Sequence, residues 1–277
     1  MEHYLNASYN LEDPSLVSVI DELPIWAAPF GLQLLDSIRM KPCMRVLDIG
    51  FGLGFPVLEL AMRLGTGSQI YGLDPWRAGI KRAREKVDKM GLSNVHLIEG
   101  VAENLPIDSQ VFDLIVSNNG INNVQDIKET FKECFRVMKP DAQMVFTMNL
   151  DDTFFEFYDI FKKVLKKHGL ESEIEMLQQH IYEKRKPLNE IKTLLSAAGF
   201  EIADIKYGNF SYRFIDGTAM LNHFFIKLSF LDSWKKITGV HTPKVFQILE
   251  KEINKVAAKT GSFQMSVPFA TVDCRKK

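Results

Sequence analysis

Residues 46–56 read VLDIGFGLGFP, and this stretch decides the fold class. A short apolar run ends in Asp48, and three glycines follow at alternate positions, Gly50, Gly52 and Gly54. Glycines directly after a strand let the backbone turn tightly and approach a ligand closely before the next helix begins. The stretch therefore predicts a ligand-binding turn between the first strand and the first helix of an α/β sheet.

Strand-like and helical patterns alternate from residue 45 to residue 150, in the order RVLDIG, PVLELAMRL, QIYGLD, WRAGIKRAREKVDKM, VHLIEG, FDLIVSN, VQDIKETFKECFRVM and QMVFTMNL. Units of this length are typical of a parallel sheet with helices on both faces. EIADIKYGNFSYRF and SFQMSVPFATVDC are two later strand candidates, so we predict an open, mostly parallel, seven-stranded sheet. Pro268 cannot donate to a ladder, so the last strand is expected to bulge there or to lie at an edge.

The remaining residues predict helices outside this sheet. We expect an N-terminal helical segment at 1–40, a ligand-binding core at 41–150, and a C-terminal part at 151–277 that completes the sheet. The last part carries inserted helical patterns at 152–185 and 217–260, which exceed what a connection between neighbouring strands requires. We therefore predict a helical cap over the ligand end of the sheet, within a single globular domain.

Composition restricts the classes of function. The 277 residues are 46% hydrophobic, which suits a buried core, and 34 basic residues face 35 acidic ones, so a broad nucleic-acid surface is not expected. Cys43, Cys134 and Cys274 lack the spacing of a metal site or a disulfide framework, which predicts reduced thiols in a cytoplasmic protein. No targeting signal and no run of about 18 apolar residues is present, so no membrane span is predicted.

The residues around the glycines discriminate between ligands. Phe55 stands where a dinucleotide loop needs a small residue, and the Gly-Lys-Ser/Thr of a phosphate loop is absent. Asp74 ends the second strand, where a carboxylate can accept hydrogen bonds from ribose hydroxyls. Asp48 would repel a pyrophosphate and suits a ligand with an ammonium or sulfonium group. The turn therefore favours S-adenosylmethionine.

Four ordered blocks resemble one enzyme family: VLDIGFGLG (46–54), YGLDPW (71–76), EGVAENLPIDSQVFDLIVSN (99–118) and FKECFRVMKPDAQMVF (131–146). Together they resemble the class I S-adenosylmethionine-dependent methyltransferases, in particular the small-molecule group that looks like the ubiquinone and menaquinone C-methyltransferases. The resemblance implies a Rossmann-like core with S-adenosylmethionine as cofactor.

The same resemblance implies cofactor-binding residues at the ends of the first four strands: Asp48, Gly50, Gly52, Gly54, Asp74, Pro75, Trp76, Ala102, Glu103 and Asn118. In this family Asp74 would hold the ribose, and Ala102 and Glu103 would lie near the adenine edge. Val101 replaces an Asp that often accepts the adenine amino hydrogen. Gly54 can equally serve helix packing alone, and Trp76 can be an ordinary residue at the start of a helix.

Methyl transfer from a sulfonium is an in-line displacement, so the protein mainly aligns the acceptor, and a base is needed only when the acceptor loses a proton. Candidate acceptor-binding residues are Asn119, Asn122, Tyr212 and Arg213. The asparagine-rich loop is also typical of a turn, and Arg213 can instead pair with Asp216. His223 is the candidate general base, with a purely structural histidine as the alternative.

We therefore predict a methyltransferase that acts on a small, partly apolar molecule and needs no metal. Two alternatives remain open at this point. The first is a protein or RNA methyltransferase, and the second is a protein that binds S-adenosylmethionine without catalysis.

Overall fold

A computed structural model describes residues 3–22 and 25–277; positions 1–2 and 23–24 of the predicted N-terminal segment lie outside the described residues. Seven strands form one sheet in the order β3-β2-β1-β4-β5-β7-β6. Their bounds are β1 (Arg45–Ile49), β2 (Gln69–Asp74), β3 (Val95–Glu99), β4 (Phe112–Asn118), β5 (Met138–Asn149), β6 (Phe200–Phe214) and β7 (Phe263–Lys276). Strands β1 to β5 pair in parallel, and β7 pairs antiparallel with β5. The predicted open, mostly parallel sheet is confirmed.

Helices connect the parallel strands because a parallel pair needs a long crossover between its strands. The helices between the parallel strands are α3 (Val57–Leu64), α4 (Arg77–Met90) and α5 (Ile127–Val137). Two helices precede β1, namely α1 (Pro14–Asp21) and α2 (Ala27–Leu35). Those that follow β5 are α6 (Phe155–Lys167), α7 (Glu171–Lys184), α8 (Leu188–Ala197), α9 (Gly217–Asn222), α10 (Phe224–Ile226), α11 (Asp232–Thr238) and α12 (Thr242–Thr260). The helical pattern predicted at 217–260 thus forms α9 to α12, with a π-helical turn at Lys227–Leu231 between α10 and α11.

The chain divides into two compact units. The sheet unit contains residues 11–150, 187–208 and 269–277, and the helical unit contains residues 1–10, 151–186 and 209–268. Each of the two predicted insertions lies largely within the helical unit. In the sheet unit, strand order reverses between β1 and β4, where a ligand site is expected beyond the carboxyl ends of the strands.

The prediction of an edge position for the last strand is wrong. β7 lies between β5 and β6, so the edges are β3 and β6. The register of β7 against β5 begins at Phe269, directly after Pro268. Because Pro268 precedes the residues paired with β5, its missing N–H removes no bond from that ladder.

The core of the sheet unit forms two apolar clusters, as expected for a sheet covered on both faces. One cluster contains Leu47, Phe131 and Phe146, and the other contains Val46 and Ile70. Leu47 and Val46 are neighbours in β1 and lie in different clusters because successive side chains of a strand point to opposite faces. The near-continuous apolar runs in the sequence follow from this double burial.

Aromatic side chains form the core of the helical unit. The ring of Trp234 stacks on Phe157 with 4.1 Å between centroids, and both side chains are fully buried. The apolar face of α12 is buried at Val245 and Ile253, whereas Val256 is 37% exposed. Ala257 is buried instead, since it lies four residues beyond Ile253 on the same helix face.

Candidate functional site

The glycine turn follows β1 with a backbone that requires glycine. Gly50, Gly52 and Gly54 have φ values of 77°, 54° and 112°, which residues with a Cβ rarely adopt. The amide of Gly50 donates to the carbonyl of Leu73 at 2.8 Å, which ties the turn to the end of β2. A Cβ on Gly50 would lie 2.9 Å from Cα of Gly120, whereas a Cβ on Gly52 would meet no atom within 4 Å. Gly52 therefore borders open space that a ligand can enter.

Asp74 joins the ends of β1 and β2. Its Oδ2 accepts the amide of Gly52 and its Oδ1 accepts the amide of Trp76, both at 2.8 Å. The side chain is buried, and burial raises its pKa although the two backbone hydrogen bonds act in the opposite direction. A carboxylate offers about four lone-pair positions, so two remain for the hydroxyls of a ligand.

Asp48 is a fully buried carboxyl, and neither of its oxygens has a hydrogen-bond partner among the described residues. Burial raises its pKa well above the usual range, and the nearby charge of Asp74 adds to this effect. The backbone amide of Val57 lowers the pKa, but it makes no hydrogen bond of normal geometry. A buried carboxyl of this kind is costly without a donor or a cation, so its position next to the turn indicates a functional role.

Two other residues of the opening motif serve packing. Phe51 is buried against β2, because Gly72 leaves the space that its ring occupies: a Cβ on Gly72 would lie 2.7 Å from Cδ1 of Phe51. A Cβ on Gly54 would lie 2.7 Å from Cδ1 of Leu58, so Gly54 is needed for packing against α3 as well as for its positive φ. The helix-packing interpretation of Gly54 is thus supported by the geometry.

The loop after β4 approaches the glycine turn. Ser117 donates from Oγ to the carbonyl of Ile49 at 2.7 Å and accepts the amide of Ile121 at 3.1 Å. Gly120 has no room for a Cβ, which would lie 2.5 Å from the carbonyl oxygen of Ile49. Sequence reasoning missed Ser117 and Gly120, although the Asn-Asn-Gly turn signal at 118–120 was available.

The asparagines of this loop hold one another. Asn119 has a left-handed backbone with φ 61°, which confirms the turn interpretation. Nδ2 of Asn122 donates to the side-chain oxygens of Asn119 and of Asn149 at the end of β5. Asn119 and Asn122 are brought together with the end of β5, in the sheet unit.

Asn118 is oriented by two contacts. Its Nδ2 donates to the carbonyl of Ala27 at the start of α2 at 3.0 Å, and its Oδ1 accepts Oγ1 of Thr147 at 3.1 Å. A Cβ on Gly31 of α2 would lie 2.1 Å from the ring of Phe55, so α2 also packs on the glycine turn. The predicted N-terminal helices therefore contact the site through α2.

The residues predicted to lie near the adenine differ in their burial and in their hydrogen bonds within the protein. Oε1 of Glu103 accepts the amides of Gln125 and Asp126 before α5, at 2.6 and 3.1 Å. Ala102 is buried in the core, Pro75 is exposed, and Nε1 of Trp76 donates to the carbonyl of Leu11 at 3.0 Å. Glu103 thus fixes the loop after β3, while its other carboxylate oxygen accepts no hydrogen bond from the described residues.

Tyr212, Arg213 and His223 lie in the helical unit and not in the sheet unit. The His223 ring lies 5.4 Å from that of Phe214 and 6.1 Å from that of Tyr212, and partial burial lowers the pKa of His223. Asp216 accepts the amide of Ala219 and caps α9, and no ion pair joins it to Arg213 among the described residues. The alternative prediction of that ion pair is therefore wrong.

The sheet unit fits the cofactor that the sequence predicted. Open space at Gly52, spare acceptor positions on Asp74 and the unpartnered carboxyl of Asp48 match a nucleoside with hydroxyls and a nearby cationic group. No group of three potential metal-ligating side chains occurs within residues 3–22 and 25–277. In the same described ranges, no helix has the length and apolar character needed to cross a bilayer.

Comparisons with known proteins agree with this geometry. A family model described as "Methyltransferase domain" matches residues 40–149, which include every predicted cofactor-binding residue. The demethylmenaquinone methyltransferase of Staphylococcus carnosus is 27% identical over 214 residues, which cover 73% of this chain and 85% of that protein. The demethylmenaquinone methyltransferase of Geobacillus kaustophilus is 34% identical over 47% of this chain, and the chain spans about half, 55%, of that relative.

The fold is similar to a crystal structure of a SAM-dependent methyltransferase from Aquifex aeolicus, with a TM-score of 0.53 and 21% identity over 70% of this chain and 91% of that one. The structural likeness supports the fold, and the sequence matches support the enzyme class. Residues 40–149 therefore match a methyltransferase domain, and they lie in a Rossmann-like sheet whose fold is similar to that of the Aquifex aeolicus enzyme.

Proposed function

We propose that this chain transfers a methyl group from S-adenosylmethionine to a small, partly apolar acceptor with a quinol-like aromatic ring. The observation that carries the proposal is the buried, unpartnered Asp48 beside the glycine turn. The ionised form of Asp48 would repel an anionic phosphate, whereas the amino group and sulfonium of S-adenosylmethionine would stabilise that form and lower its raised pKa.

The residues of the sheet unit would hold the cofactor through distinct contacts. Asp74 accepts ribose hydroxyls with the lone pairs that Gly52 and Trp76 leave free. The backbone at Gly52 would approach the methionine part, because the missing Cβ leaves open space there, whereas the missing Cβ of Gly50 lets Gly120 pack close to the turn. Pro75, Ala102, Glu103 and Asn118 surround the remaining parts, and Gly54 holds the turn against α3.

When bound, the cofactor supplies an electrophilic methyl group on a sulfonium, which needs no activation by the protein. The chain's own contribution is to align the acceptor atom with that methyl group and to exclude water. Alignment lowers the barrier, because the entropy cost of bringing the two reactants together is met when they bind. We propose Asn119 and Asn122 as acceptor contacts, since their amides form a polar edge with Asn149. In the helical unit, we propose Tyr212 and Arg213 as acceptor contacts and His223 as a general base.

The relatives support the quinol-like acceptor. Two of them are named demethylmenaquinone methyltransferases, and the name states that they methylate a demethylated menaquinone. A hydroquinone ring is electron-rich at carbon, and ionisation of a hydroxyl increases this density. The chain would therefore methylate a ring carbon, with proton removal as the step in which a base assists.

Cofactor binding is tested by thermal denaturation with S-adenosylhomocysteine. We expect millimolar ligand to raise the melting temperature of the wild type, and Asp74→Ala to abolish the shift because it removes the acceptor for ribose and for two backbone amides. Asp113→Ala is the matched control, since Asp113 is the second residue of β4 and pairs with Lys139 at the opposite end of that strand from the glycine turn. No shift in the wild type at millimolar ligand would contradict the proposal.

Methyl transfer is tested with labelled S-adenosylmethionine and a panel of reduced naphthoquinones and benzoquinones that lack one ring substituent. We expect label in an organic extract and a product whose new methyl is bonded to carbon, as shown by NMR. Label found only on precipitated protein or RNA would refute a small-molecule acceptor.

A further inference from the structure

Arg185 is a buried cation in the helical unit without a counter-ion. It follows α7 directly, its side chain is 3% exposed, and no carboxylate lies within ion-pair distance of it among the described residues. Arginine stays charged in proteins, and burying an isolated charge is strongly unfavourable. An unpaired guanidinium at this depth therefore needs either an internal acceptor or a ligand.

The internal contacts of Arg185 do not supply enough acceptors. Nη1 donates to Oη of Tyr158 at 3.3 Å, and the guanidinium lies over the rings of Phe154 and Tyr158 at 5.8 and 5.3 Å from their centroids. Nε is buried without any hydrogen-bond partner. Nη2 also makes no hydrogen bond to the described part of the chain. Nε and Nη2 form the edge of the guanidinium that binds a carboxylate with two parallel hydrogen bonds.

Tyr158 adds a third donor to the same place. Its Oη accepts Nη1 of Arg185 and also Nε1 of Trp234, the latter at 3.1 Å. Because a hydroxyl has one hydrogen and two lone pairs, both lone pairs are used and the hydrogen is left to donate. No acceptor for this hydrogen occurs in the described ranges of the chain. Of the two acidic residues of α6, Glu156 is bound by the amide and the hydroxyl of Ser266, and Asp159 pairs with Lys163.

His180 lies beside this cluster and adds no charge to it. Its ring lies 6.4 Å from that of Tyr158. Burial lowers the pKa of His180 to about 4, the charges of Arg185 and Lys184 act in the same direction, and the charge of Glu183 opposes them. His180 is therefore neutral near pH 7. The charge of Arg185 thus has no ion-pair partner among the described residues.

We propose that Arg185 and Tyr158 bind the carboxylate of a small aromatic acid. Two oxygens match the Nε and Nη2 edge of Arg185, and the hydroxyl of Tyr158 donates to one of them. The aromatic side chains Phe154 and Trp234 favour an aromatic acid over an aliphatic one. Binding of this acid at Arg185 is independent of the proposed function.

The test compares 2-naphthoate with 2-naphthamide, which has the same ring system and no charge, by calorimetry on the full chain saturated with S-adenosylhomocysteine. We expect the wild type to bind the acid at least about tenfold more tightly than the amide, as for loss of charge-assisted hydrogen bonds. Arg185→Met should reduce this ratio to near one, and Tyr158→Phe should reduce it about threefold. Lys184→Met is the matched control, because it removes the same charge from the exposed neighbouring residue and should leave the ratio unchanged.

Further measurements distinguish loss of binding from loss of folding, and an aromatic acid from a free inorganic anion. Arg185→Met should melt no lower than the wild type without ligand, since it removes an unpaired buried charge. If it does not fold, Arg185→Lys keeps the charge without the bidentate edge and should still lose most of the preference for the acid. Equal affinity of the wild type for acid and amide would overturn the proposal. So would sodium sulfate that binds as tightly as 2-naphthoate and displaces it, because the site would then take a free anion. A positive binding result with no methyl transfer to any acceptor would refute the proposed function and leave the carboxylate site standing.

Discussion

Asp48→Asn tests the central electrostatic feature of the cofactor site. The folded wild-type carboxyl has a raised pKa because it is fully buried and lies near Asp74. Between its unfolded pKa, about 3.9, and its folded pKa, the folded state retains a proton that the unfolded state has released. Raising the pH through this range therefore lowers the free energy of unfolding of the protein without cofactor. The contribution is fully present at acidic pH and is lost as the pH rises.

The expected slope is large enough to measure. For one carboxyl, the free energy of unfolding falls by about 1.4 kcal/mol for each pH unit within that range. In a chain of this length this corresponds to about 3 °C in melting temperature per pH unit. The amide of an asparagine side chain does not titrate, so Asp48→Asn should remove this slope whatever its effect on the absolute stability. Asp88→Asn is the control, because Asp88 is an exposed carboxylate on α4 and should retain the wild-type slope.

The assay is differential scanning fluorimetry from pH 4 to pH 8 without ligand, followed by titration of S-adenosylmethionine at pH 7.5. We expect Asp48→Asn to remove its own share of the slope, about 3 °C per pH unit, while the contributions of Asp74, His180 and His223 remain. Affinity for the cofactor should fall about tenfold to hundredfold, as for loss of a charged hydrogen-bonding partner. The reasoning is refuted if the variant keeps the wild-type slope, since Asp48 would then not carry an unusual proton in the fold. It is equally refuted if the variant binds the cofactor as tightly as the wild type.

Three further predictions concern single residues. Gly50→Ala should lower the free energy of unfolding by about 2–4 kcal/mol in chemical denaturation. The new Cβ would lie too close to Gly120, and the positive φ of residue 50 is unfavourable for alanine. Gly52→Ala has open space and should cost only about 1 kcal/mol while weakening cofactor binding, and equal losses for the two variants would contradict the geometry. The NMR titration of His180 should have a midpoint near pH 4, whereas a midpoint near 6.5 would show that its ring is solvated. At pH 8 a thiol reagent should label Cys43 alone in the folded protein and all three cysteines after unfolding, since burial raises the pKa of the other two thiols; rapid labelling of three would show an open core.

The sheet was predictable because its strands are local patterns. Strands such as β1 and β4 are buried on both faces and are therefore apolar almost throughout, and each is followed by turn residues. The position of β7 was not predictable from such patterns. Pro268 argued for an edge, but the pairing partner of a strand depends on residues far away in the chain, here Asn149 opposite Phe269.

The helical unit shows the same limit. Aromatic residues are frequent in the helical patterns of this unit, and Phe157 and Trp234 are fully buried. The spacing could not reveal that a charged side chain is buried beside them. Arg185 appears in the sequence within the polar run EKRKP, where a solvated surface would be expected, and only the packing around Tyr158 shows otherwise.

The sequence by itself determined the fold class and the glycine turn, because strands, helices and glycines are local patterns in a constant order. It also predicted the cofactor from Asp48 in β1, Gly50 directly after β1 and Asp74 at the end of β2. Only the tertiary structure decided that both oxygens of Asp48 lack partners and that Asp74 already bonds the glycine turn. Hydrogen bonding and burial are properties of atoms brought together from distant parts of the chain, and a local pattern contains no information about which donors are missing.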